Sequence, residues 1–115
     1  MNYKTLFLGL FLFLVGQIGA WYQTNSQFIS TWAKNNPWIL TLVGVPVSYL
    51  YIKATEYIAF TFDGQIWPTR LLGFSMGILS FTCLTYIHLN EGITLKTGVI
   101  LILATLILII QVFWK

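Results

Sequence analysis

GITLKTGVILILATLILIIQVF, residues 92–113, carries one charged side chain, Lys96, near its start. Beyond Thr97 it is an almost unbroken aliphatic rod. A helix rises about 1.5 Å per residue and the hydrocarbon core of a bilayer is about 30 Å thick, so this run is long enough to cross it. A polar backbone in lipid must satisfy its hydrogen bonds within the segment, which requires a helix or a closed barrel. Apolar and polar residues do not alternate here with period two, so a barrel strand does not fit.

Working outward, three more windows meet the same test. They are 4–23, KTLFLGLFLFLVGQIGAWYQ; 37–59, which begins PWILTLVGVPVSYL; and 66–88, IWPTRLLGFSMGILSFTCLTYIH. The joints are QTNSQFISTWAKNN, FTFDGQ and LNE. The last two are short, which makes helices 2, 3 and 4 antiparallel neighbours. The expected fold is all-α, an integral membrane bundle of four transmembrane helices in a single domain over 1–115.

Composition agrees. Of 115 residues, 57% are hydrophobic and 8% charged, against about one quarter charged in an ordinary globular domain. So short a chain has too much surface for its volume to hide that apolar load from water. The net charge of +3 comes from scattered residues, with no basic run of the kind nucleic acid requires. One cysteine, Cys83, makes no intramolecular disulfide and no metal cluster. No cofactor or enzyme signature is present: no metal-ligand spacing, no nucleophile–base set and no glycine-rich phosphate loop.

Segment 4–23 has a signal-peptide flavour, with Lys4 and an Ile-Gly-Ala step before Trp21. Its long apolar core and the three spans that follow favour a retained helix. Trp21, Tyr22, Trp32 and Trp38 are expected as headgroup anchors on one side, and Tyr3, Tyr57, Trp67 and Trp114 on the other. Phe28, Ile29, Trp32 and Ala33 fall at helical spacing and predict a short helix lying in the interface. His88 reads as an interfacial residue. With both termini in the cytoplasm, Lys4, Lys53, Arg70 and Lys115 lie inside, and Lys34 and Lys96 outside. The positive-inside rule thus favours N-in, C-in by a small margin, in the cell (inner) membrane.

Membrane helices pack through small residues. Gly73 and Gly77 form a GxxxG pair extended by Ser80, and helix 1 offers Gly9, Gly16 and Ala20. Thr97, Ala104 and Gln111 repeat every seven residues, a spacing that keeps one face constant. A homodimer is expected through Ala104 and Gln111, with Gly73 and Gly77 as a further face. Packing within the monomer is the other reading of these residues.

The polar side chains decide what else the chain does. Tyr49, Lys53 and Glu56 share one face of helix 2 by i, i+4, i+7 spacing. Antiparallel packing brings Lys53, Glu56, Asp63 and Arg70 to one end of the bundle. Ionisable groups in a membrane mark functional sites by default, although long side chains near a helix end also snorkel to the headgroups. Gln17 is the one strongly polar side chain well inside helix 1. The candidate solute-binding residues are therefore Gln17, Tyr49, Lys53, Glu56, Trp67 and Arg70.

QIWPTRLLGF (65–74) and NEGITLKTGVILILATLILI (90–109) resemble a half-repeat of the drug/metabolite transporter superfamily, and GAWY (19–22) is similar to a small four-helix branch of it. The Ile-Trp opening of helix 3 resembles the small multidrug resistance family. The resemblance implies a four-helix fold paired into a dimer, transport of a small organic solute, and Trp67 lining the chamber. Those exporters use a membrane-embedded glutamate in helix 1. Here Gly16 or Gln17 stands in its place, and neither carries a proton at neutral pH. The alternative function is a non-transporting membrane subunit that packs against a partner.

Overall fold

The structure, a computed structural model, describes residues 2–114. Lys115, counted above among the inside cations, lies outside them.

Helix α1 spans Tyr3–Asn25. Asn2 caps it, its side-chain oxygen accepting from the backbone N–H groups of Lys4 and Thr5 at 3.1 and 3.3 Å, donors that the helix itself leaves unpaired. A 3₁₀ turn, Ser26–Phe28, leads to α2, Thr31–Asn35. Ala33 is buried while Phe28, Ile29 and Trp32 stay exposed, and the one short helix expected over these four residues is split between the 3₁₀ turn and α2.

The second span breaks into α3, Pro37–Leu42, and α4, Gly44–Thr61. One continuous helix over 37–59 was the sequence expectation. Pro46 explains the break: it has no N–H for the Leu42 carbonyl four residues earlier, and its ring crowds that carbonyl. At the far end Asp63 and Gly64 take left-handed φ values of 58° and 86°. The Gly64 N–H donates to the Ala59 carbonyl at 2.7 Å, a glycine-based helix stop. Helix α5, Trp67–Leu89, follows with Pro68 in its first turn, and ends at left-handed Asn90. Helix α6, Leu95–Phe113, starts on a Thr94 cap that accepts from the Thr97 N–H.

Among the described residues four spans are thus long and apolar enough to cross a membrane: Tyr3–Phe28, Pro37–Thr61, Trp67–Leu89 and Leu95–Phe113. Helix α1 lies between α4 and α5, which also touch each other, and α6 packs chiefly on α5. The result is a slab of 47 × 35 × 19 Å.

Small residues set the register. Along the α1–α4 seam, Thr5 meets Thr61 at 2.7 Å between hydroxyls. Further on, Gly9 meets Ile58, Gly16 meets Tyr51, and Gly19 meets Val47. Residue numbers rise on one helix as they fall on the other, so the pair is antiparallel. Between α1 and α5 they rise together, from Phe13–Gly73 through Gln17–Gly77 to Trp21–Thr85, so that pair is parallel. One end of the molecule therefore carries Lys4, Asp63 and Arg70, and the other carries Lys34, His88 and Lys96.

The small residues expected at a dimer seam are used within the chain. Gly73 and Gly77 face Phe13 and Gln17 of α1. Ala104 is 1% exposed, and Gln111 is half-buried.

Candidate functional site

A groove of about 850 Å³ opens where all four spans meet. This volume falls within the ~300–1,000 Å³ range of ordinary small-molecule sites. Phe13 and Gln17 come from α1, Tyr51 and Thr55 from α4, and Ile100 and Leu101 from α6. Helix α5 contributes along its length, from Thr69 and Arg70 at one end to Phe81 and Thr82 at the other.

Local sequence explains each contribution. Gly73 and Gly77 have no side chain to fill the space beside α1, so Phe13 and Gln17 lean over them. The Gln17 amide donates to the Gly73 carbonyl at 3.3 Å, which holds one end of its amide group. The Thr69 hydroxyl donates to the Ile66 carbonyl at 2.6 Å and the Thr82 hydroxyl to the Ile78 carbonyl at 2.9 Å. Both are local helix bonds that spare the hydroxyls the cost of desolvation. Among the described residues Arg70 is the one charged side chain on the groove wall, and no carboxylate lines it.

Of the sequence-predicted site residues, Gln17 and Arg70 line the groove. Tyr49, Lys53, Glu56 and Trp67 do not. Tyr49 is 61% exposed and Trp67 76%. Lys53 and Glu56 pair at 3.1 Å on the surface, with side chains 39% and 62% exposed. The reason is helical phase. The face of α4 that packs inward carries Val47, Tyr51, Ala54 and Ile58. Tyr49, Lys53 and Glu56 sit about half a turn round from it at 3.6 residues per turn. Within a single chain these residues form no chamber with Trp67.

Sequence reasoning missed Tyr51 and Thr55. Their signal was present on another helix: Gly9 and Gly16 of α1 require bulky partners, and Ile58 and Tyr51 are those partners. Matching glycines to large side chains would have selected the inward face of α4.

The far end holds a second polar cluster. Trp21 is 3% exposed and donates its indole N–H to the Thr85 hydroxyl at 3.0 Å. It also stacks on His88 at 5.3 Å between ring centroids. The Tyr22 hydroxyl and His88 Nε2 are 2.7 Å apart. Trp21 is thus a buried clasp between α1 and α5, which corrects its expected role as a headgroup anchor. His88 is held by both aromatic neighbours.

Comparisons with family models, with characterised proteins and with solved structures found no match.

Proposed function

We propose that this protein is a small membrane transporter of the drug/metabolite superfamily type, moving a small organic solute through the groove among its four spans. The observation that carries the proposal is the groove itself. It joins a polar amide, Gln17, and a cation, Arg70, to aromatic walls within a structure otherwise built for lipid. Polar groups at membrane depth are costly and mark solute pathways. The groove is open on one side. A second copy laid across it would enclose the solute, so the working form in this proposal is a homodimer. Of the seam expected at Ala104 and Gln111 with Gly73 and Gly77, Gln111 stays partly exposed, while Ala104 and the two glycines pack within the chain.

The test is uptake of three radiolabelled solute classes, anionic, zwitterionic and cationic, into proteoliposomes. The expected result is saturable uptake of at least one class, lost in Thr55→Trp, which fills the groove, while helical content is unchanged. Folded protein with no saturable uptake of any class would overturn the proposal.

One observation favours the alternative, a membrane subunit that packs against a partner. The Lys53–Glu56 pair faces away from the rest of the chain. A partner helix with complementary polar groups at that level would cover it.

A further inference from the structure

The groove has a direction. Helix α5 lines it at every turn from Thr69 to Thr82, about 20 Å at 1.5 Å per residue. That is most of the ~30 Å hydrocarbon thickness. Its charge is confined to one end. Arg70 closes the first turn of α5, one turn on from Trp67, at the end of the span. Beyond it the wall is mostly apolar, with Phe74, Ile78, Phe81 and Leu101, and is broken by the uncharged polar side chains of Gln17 and Thr82. Among the described residues no carboxylate lines the groove, and the ion pair found among them joins Lys53 to Glu56 on another face. Among the described residues Arg70, exposed at the groove's mouth, forms no ion pair, not even with Asp63 at the same end of the molecule. A guanidinium offers planar, paired donors that suit a carboxylate or phosphate.

From this polarity we infer that the groove binds an anionic amphiphile, its carboxylate or phosphate head on Arg70 and its hydrocarbon chain along α5 towards Ile100 and Leu101. The inference rests on the groove named in the transport reading and gives that site its ligand class. A cationic solute would meet Arg70 with no counter-charge. A small hydrophilic anion would leave the apolar length of the groove unfilled. The chemistry is shared by a membrane-resident lipid and by a shorter anion arriving from water.

The test uses the full chain in phosphatidylcholine nanodiscs with cis-parinaric acid, read by energy transfer from tryptophan against empty nanodiscs. Saturable transfer is expected, competed by dodecyl phosphate and not by dodecyltrimethylammonium. Arg70→Gln should weaken binding at least tenfold, and Arg70→Lys should retain part of it. Leu101→Trp should exclude parinarate while octanoate still protects Ile66→Cys, an exposed position at the groove's mouth, from alkylation in a Cys83→Ser background. Competition by octanoate in the unaltered chain points to a water-borne ligand, and an anionic lipid co-purifying with the chain but not with Arg70→Gln points to a membrane one. Both outcomes support the site. Equal competition by the cationic amphiphile, or unchanged affinity in a folded Arg70→Gln protein, would overturn it. Binding without flux would sink the transport reading alone. Flux of a cation unaffected by Arg70→Gln would sink the ligand assignment and leave transport standing.

Discussion

The two faces of α4 differ in how they meet the membrane. The inward face carries Val47, Tyr51, Ala54 and Ile58 and docks on the glycines of α1. The outward face carries Tyr49, Lys53 and Glu56 and touches no other helix closely enough to be buried. The inward face has no charge and sets the architecture. The outward face has the charges, and Lys53 and Glu56 pair there with each other and not with another helix. Charge therefore drew attention to the face with less bearing on the fold. Lipid gives helices no hydrophobic reason to associate, so closeness of packing decides which face goes in.

Disturbing the inward face should have the largest effect. A Cβ at Gly9 would lie 2.5 Å from Ile58 Cδ1 and 3.3 Å from the Ile58 backbone nitrogen. Gly9→Leu should separate α1 from α4, at a cost of about 1–3 kcal/mol or more by the usual penalty for overpacking. Unfolding by titration with a denaturing detergent checks this. An unchanged midpoint would break the contrast between the faces.

The outward pair should respond in a way that depends on its partner. Lys53→Met alone leaves Glu56 without its cation, and Glu56→Gln alone leaves Lys53 without its anion. Both singles should destabilise more than the double replacement Lys53→Met/Glu56→Gln, because each leaves an unpaired charge. The sizes should be modest, since Glu56 lies about 7–8 Å from the end of its helix and can reach the headgroups. A double mutant that folds normally but no longer pairs with a second copy or a partner would sharpen the contrast and give the outward face an interface role.

Smaller again is the clasp at the far end. Trp21→Phe keeps the stacking on His88 and loses the indole bond to Thr85. About 0.5–1.5 kcal/mol is expected, measured by the same titration. Ser75 should give the smallest change, and of opposite sign. Its hydroxyl is fully buried with no hydrogen-bond partner among the described residues, so Ser75→Ala should be neutral or slightly stabilising. A clear loss of stability in Ser75→Ala would reveal a bond partner for that oxygen.

The spans were legible because length and apolarity suffice to read them. Residues 92–113 read as a helix on composition alone, and α6 occupies Leu95–Phe113. The break at Val43 had its cause in plain view at Pro46, although a proline predicts a bend more readily than it locates one. The site was legible in part. Gln17 and Arg70 stood out as polar residues in apolar runs, and both line the groove. Tyr51 and Thr55 did not stand out, because the face of a helix is chosen by its neighbours. The Trp21–Thr85 bond joins α1 to α5 across a long stretch of chain, and no local pattern announces such a pair.

The most direct measurement is photolabelling by a fatty acid with a diazirine near the end of its chain, in nanodiscs, with the labelled residues mapped by mass spectrometry. The groove account predicts label on Ile78, Phe81, Ile100 and Leu101, reduced by Arg70→Gln. Label spread equally over Ile52, Phe60 and other outward positions of α4, and indifferent to Arg70, would contradict it.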